Sequence, residues 1–138
     1  MPVPFVLDPR LEADGPLIAR VEGCQLRLVD DARFPWLVLI PEDAGASEIF
    51  DLPETRAATV LALATRLGAA MKAAFAADKI NLGLLGNMVP QLHLHIVARR
   101  KGDDAWPGPV WGAGTRRPMP ETEKAARCAA FRKLVEAS

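Results

Sequence analysis

His93 and His95 are the only histidines in the 138-residue chain, and they sit two positions apart in Gln91-Leu92-His93-Leu94-His95-Ile96-Val97. In a run of Leu, Ile and Val, two-residue spacing is the period of a β-strand, whose successive side chains point to opposite faces. Gln91, His93 and His95 are expected on one face, with Leu92, Leu94 and Ile96 on the other, where they can enter a core. A neutral imidazole offers one donor and one acceptor nitrogen. The pair is therefore open to three uses: a hydrogen-bonded structural role, metal ligation, or a nucleophile with a second imidazole beside it. Zinc would need a third protein ligand from Cys24, Cys128 or a carboxylate, and no spacing points to one. No metal is expected.

Composition narrows the partners. Lys plus Arg and Asp plus Glu number 17 each, a formal net charge of zero. Such a chain has no global field drawing it to nucleic-acid backbones or acidic membranes, and neither is expected as a partner. Half the residues are hydrophobic and a quarter charged, the balance of a soluble globular protein, and the length suits one domain over residues 1–138. Cys24 and Cys128 form neither a CxxC pattern nor a disulfide framework. The opening MPVPFVLDPR lacks the basic start and apolar core of a signal peptide, and the apolar runs, such as residues 36–40, are short for a bilayer. A cytoplasmic location is expected. Arg99-Arg100-Lys101 reads as a solvated strand end, with phosphate attraction as its functional alternative.

Several elements must position the histidines. Residues 5–7 predict a short strand or extended arm ended by Asp8-Pro9. Residues 17–21 and 24–29, split by Glu22-Gly23, predict a hairpin, and residues 36–40 a strand buried on both faces. Asp51-Leu52-Pro53-Glu54 announces a helix with Asp51 as its N-cap, and Val60, Ala64, Leu67, Met71, Ala74 and Phe75 carry an apolar stripe towards Ala77. Residues 80–84 and 91–99 predict two more strands, joined through the turn-forming Gly86-Asn87-Met88-Val89-Pro90. Residues 103–112 read as irregular, with Trp106 and Trp111 able to cover the sheet or a ligand, and residues 120–137 as a terminal helix. The sum is an α+β domain.

The stretch from Asn81 through Gly83, Gly86, Asn87, Val89, Gln91 and His93 to His95 resembles the signature of the histidine triad (HIT) family. That signature is His-φ-His-φ-His-φ-φ behind a Gly-rich turn and an upstream Asn. The preceding strand order, the intervening helix and the Trp-Pro segment that follows are similar too, so the resemblance covers residues 17–112 and leaves the helix at 120–137 outside. It implies a HIT-like fold: an antiparallel sheet of about five strands, one long helix packed on it, and a C-terminal helix. Gln91 stands where the family has its first histidine, His93 takes the nucleophile's place, and His95 is the third member. The implied function is a nucleotide-binding hydrolase or nucleotidyl transferase acting on nucleoside monophosphate conjugates, phosphoramidates or dinucleoside polyphosphates, through a covalent nucleotidyl-histidine at His93. The alternative is a nucleotide-binding module with little catalysis. A purine nucleotide or its conjugate is the expected ligand, with no cofactor and a homodimer paired through the sheet edge and long helix.

The resemblance also assigns roles. Asn81, Gly86, Asn87, Met88 and Val89 are expected at the phosphates, Asp30 at the ribose or simply capping its turn, Leu28 at the base, and Trp106 with Trp111 closing the pocket or filling a dimer interface. Glutamine keeps a donor and an acceptor but cannot become cationic or relay a proton. Losing a charge-assisted donor at Gln91 is expected to slow turnover by roughly 10²–10³, without removing the nucleophile.

Overall fold

The computed structural model describes residues 3–138. Its sheet is antiparallel and five-stranded, built from β1 (Leu17–Val21), β2 (Cys24–Leu28), β3 (Trp36–Pro41), β4 (Lys79–Gly83) and β5 (Leu94–Arg99), in the spatial order β1-β2-β3-β5-β4. The β1–β2 turn places both Glu22 (φ 50°) and Gly23 (φ 71°) in the left-handed region, with Val21 opposite Cys24. Two such residues make the turn whose twist matches paired strands.

Strand alternation divides the sheet into two working faces. Cys24, Leu26 and Leu28 of β2, Leu37 and Leu39 of β3, and Leu94, Ile96 and Ala98 of β5 point to one side. There they meet Val60, Leu63, Leu67 and Met71 of α2 (Glu54–Ala74), and Cys128, Phe131 and Leu134 of α3 (Glu121–Ala137). Each fully buried aliphatic side chain contributes about 1.5–3 kcal/mol. This face therefore carries most of the hydrophobic stability and leaves the other free to hold polar groups. Helix α2 has 21 residues and a mean hydropathy of 1.2 over an 18-residue window, long and apolar enough by length and composition to cross a membrane; here its stripe is sheet core.

The opposite face carries smaller apolar clusters, Val29, Val38 and Ile40 with Leu11, and Phe34 with Val97 and Val110. It is covered by the chain's N-terminal segment and by the irregular stretch after β5. Three local expectations change. Residues 5–7 form no strand, and Asp8-Pro9 opens a helix, α1 (Pro9–Asp14), because the Asp8 carboxylate accepts from the Arg10 N–H at 2.8 Å and proline suits the first turn. Asp51 does not cap α2: its carboxylate accepts from the N–H groups of Ser47 (3.1 Å) and Glu48 (2.8 Å), closing a 3₁₀ turn, and α2 runs from Glu54 only to Ala74. The last strand starts at Leu94, so Gln91 and His93 precede its ladder.

Candidate active site

His95 lies on β5 between Val38 of β3 and Gly83 of β4, on the face away from α2. The His93 ring sits 4.9 Å from it, centroid to centroid, and His93 is 7% exposed. Nδ1 of His93 is 2.7 Å from the main-chain carbonyl oxygen of Gln91. A carbonyl only accepts, so Nδ1 carries the proton and Nε2 keeps its lone pair. In His95 the order is reversed: Trp36 Nε1 donates to Nδ1 across 3.0 Å. An indole N–H only donates, which leaves the His95 proton on Nε2. Two adjacent imidazoles thus hold opposite tautomers, one suited to attack and the other to donation.

Both rings line a cavity of about 440 Å³, within the range of small-ligand sites. Gly86, Asn87, Met88 and Val89 form one rim. Gly86, at φ 77°, supplies the left-handed bend, and none of these four N–H groups bonds to another main-chain group among the described residues. They are free to meet an anion. Trp111 closes another side, its ring 5.6 Å from that of His95. A Cβ on Gly83 would come within 2.8 Å of Trp111, so the missing side chain is what lets that indole approach. Leu11 and Asp14 of α1 make a third wall.

Five expected site residues lie elsewhere. Leu28 points into the α2 core by strand alternation, and Val29, one position on, lines the cavity. Asp30 accepts from the Met119 N–H at 2.8 Å and pairs with Lys124 at 3.5 Å, fixing the approach to α3; Asp31 takes the cavity position. Asn81, on the His95 face of the sheet but outside the cavity lining, accepts from Arg99 Nη1 at 2.9 Å. Trp106 packs on that same guanidinium, which lies 5.7 Å from its ring centroid. Gln91 does not line the histidine cavity; its amide bonds to the main chain of Val6 and Asp8. Of Arg99-Arg100-Lys101, Arg100 and Lys101 are exposed as a solvated strand end, but Arg99 is not: it is 1% exposed and bonds Asp103 at 2.8 Å.

Other residues enter that sequence reasoning had not placed at the site. Trp36, read only as strand core, orients His95. Asp31 and Arg33 form a buried pair at 2.8 Å, and Arg33 also donates to the Ala113 carbonyl at 2.7 Å. Burial opposes the Asp31 charge, yet bonds from Arg33 and from the main chain of Arg33 and Arg117 outweigh it and hold the carboxyl below its ordinary range. Arg116 binds Asp14 at 3.1 Å. Charged neighbours two residues apart, such as Asp31 and Arg33, were the available signal for the first pair; nothing local marks the second.

Burial, and then the neighbouring His93, push His95 down from 6.5 to about 3. Between those values the unfolded chain binds a proton that the folded chain refuses. The stability owed to neutral His95 is therefore whole above pH 6.5 and is lost as pH falls towards 3. Urea unfolding between pH 7 and 4 is expected to show an acid-side loss on the order of a few kcal/mol, reduced in His95→Asn. Parallel curves for the two proteins would contradict a buried neutral imidazole.

The comparisons with known proteins converge. A model of the HIT domain matches residues 10–102. A histidine triad protein from Sinorhizobium meliloti 1021 is 45% identical, with 94% of this chain and 96% of that one covered at a TM-score of 0.91. One from Marinobacter aquaeolei VT8 is 39% identical over 98% of both chains, TM-score 0.95. A third, from Bradyrhizobium japonicum, is 38% identical over 96% and 99%, TM-score 0.92. No curated protein matches. The fold, the motif position and these full-length likenesses agree: the chain belongs to the histidine triad (HIT) family.

Proposed function

We propose that this protein is a nucleotide hydrolase or nucleotidyl transferase that works through a covalent nucleotidyl-His93. The observation that carries the reading is the pair of opposed tautomers facing one cavity. Nε2 of His93 attacks the α-phosphorus of a nucleoside monophosphate conjugate. The N–P bond forms as the bond from phosphorus to the leaving amine or phosphate breaks, and that group departs with the electron pair, taking any proton it needs from water. Water then attacks phosphorus and gives its proton back to solvent, the N–P bond breaks, and the monophosphate leaves neutral His93 with its Nδ1–H still on the Gln91 carbonyl.

His95 contributes a hydrogen bond rather than a proton. Held neutral, it would become an imidazolate if it gave up Nε2–H, so its N–H is best spent on a phosphoryl oxygen where charge gathers. The rim N–H groups of residues 86–89 suit the remaining oxygens. Leu11, Val29, Val110 and Trp111 offer an apolar surface for a flat base, in keeping with a purine conjugate. Edge strand β4 exposes Leu82 (50%) and α2 exposes Leu61 (45%), which supports pairing of two copies there.

Intact-mass spectrometry after brief mixing with purine and pyrimidine phosphoramidates, dinucleoside polyphosphates and sugar nucleotides tests this reading. A monophosphate adduct mapped to His93, with product release, is the expected result. Nucleotide binding with neither adduct nor product would leave a binding module instead. Native spectra of the same samples report the oligomer, and a monomer at micromolar concentration would remove the pairing.

A further inference from the structure

Gln91 occupies the triad position but does not line the larger cavity; it borders a small crevice beside it with His93 and Gly86, and its side-chain amide is engaged by the N-terminal segment. Oε1 accepts from the Asp8 N–H at 2.8 Å, and Nε2 donates to the Val6 carbonyl at 2.9 Å. One carboxamide thereby pairs with a donor and an acceptor two residues apart on the N-terminal segment, much as a neighbouring strand would. The segment it grips matters to the site. Phe5 and Leu7 pack on the cluster of Leu11, Val29, Val38 and Ile40, and α1 then delivers Leu11 and Asp14 to the cavity wall. Arg10 Nη1 adds a bond of 2.9 Å to the Met88 carbonyl, joining α1 to the glycine-bearing rim.

We propose that Gln91 is a positioning residue whose amide latches residues 5–14 onto the sheet, so that α1 walls the nucleotide cavity, while His93 and His95 alone face the reacting phosphorus. Its two halves have separate duties: the main-chain carbonyl orients His93, and the side chain holds the wall. Changing the side chain leaves the first duty in place. This replaces the expectation that Gln91 slows the chemistry for want of a charged imidazole. The kinetic part rests on the nucleotidyl-transfer reading; the latch itself does not.

Hydrogen–deuterium exchange and steady-state kinetics on Q91A, Q91E and Q91H test it. In Q91A the amides of residues 6–12 are expected to exchange about tenfold faster, the scale of one to two lost side-chain hydrogen bonds. KM is expected to rise by a similar factor, with kcat within about twofold of wild type. Q91E keeps an acceptor for the Asp8 N–H but sets oxygen against the Val6 carbonyl, and the same loosening is expected; it carries the test should Q91A fail to fold. Q91H, which restores the family's residue, is expected to loosen the segment without raising kcat. Unchanged exchange over residues 6–12 in both Q91A and Q91E overturns the latch. A kcat loss of about 100-fold at constant KM, or a comparable kcat gain in Q91H, overturns it by placing the side chain in the chemistry. If wild type turns over no nucleotide conjugate, the exchange data still decide the latch, and only the nucleotidyl-transfer reading falls.

Discussion

His93→Ala is expected to lower kcat/KM on a nucleoside phosphoramidate by on the order of 10⁴–10⁶, the scale seen when a covalent nucleophile is removed and its supporting groups stay. Those groups do stay: His95 keeps its bond from Trp36, and the rim of residues 86–89 is untouched. Substrate affinity should therefore change little while adduct formation disappears. Because His93 is almost wholly buried and borders the cavity, its removal leaves a space the size of an imidazole ring. Added imidazole is expected to recover part of the rate in His93→Gly by attacking phosphorus from solution, releasing a nucleotidyl-imidazole detectable by mass. That rescue separates a missing nucleophile from a damaged fold. Activity of His93→Ala within tenfold of wild type would sink the mechanism.

Why the histidine pair was legible in sequence while the residues that surround it were not is a matter of range. The His93–His95 spacing is local, and so are the hairpin at Glu22-Gly23, the stripe of α2 and the turn at Gly86; each is set by strand, helix or turn geometry within a few residues. Errors of one residue came where a chain leaves its strand. β2 stops at Leu28, and alternation then puts Val29 and Asp31, not Leu28 and Asp30, on the cavity side. Asp30 is claimed by Met119 and Lys124, 89 and 94 positions away. Gln91 finds its partners 83 and 85 positions upstream, and Arg99 is buried because Phe34, Asn81, Asp103 and Trp106 surround it. None of these choices follows from the residue's own neighbours. Nothing beside Gln91 in sequence announces the segment its amide bonds.

The same long-range logic makes Trp36 a larger lever than its strand position suggested. Trp36→Phe keeps a six-membered aromatic ring beside Phe34 and Trp111, which the indole meets at 6.4 Å and 6.3 Å, and removes the pyrrole portion together with the N–H that binds His95 Nδ1. Without that donor, either nitrogen of His95 can carry the proton, and the Nε2–H pointed at phosphate is populated only part of the time. We expect kcat to fall by about 10–100-fold, between the loss typical of an orienting partner and that of a charge-stabilising donor. ¹⁵N spectra of labelled protein give the signature a packing defect would not: in wild type, His95 Nδ1 is the unprotonated nitrogen and Nε2 the protonated one, and Trp36→Phe should average the two. Protonation of His95 also becomes easier, because Nδ1 no longer has to abandon a donor to accept a proton. The burial and the neighbouring His93 that hold its titration at about 3 both remain, so any rise should stay well short of 6.5. His95→Ala, which removes the donor outright, sets the floor at about 10²–10³ below wild type. If Trp36→Phe keeps full kcat, or if its His95 nitrogens keep the wild-type pattern, then the indole merely fills space, and the tautomer of His95 is set by something else in the pocket.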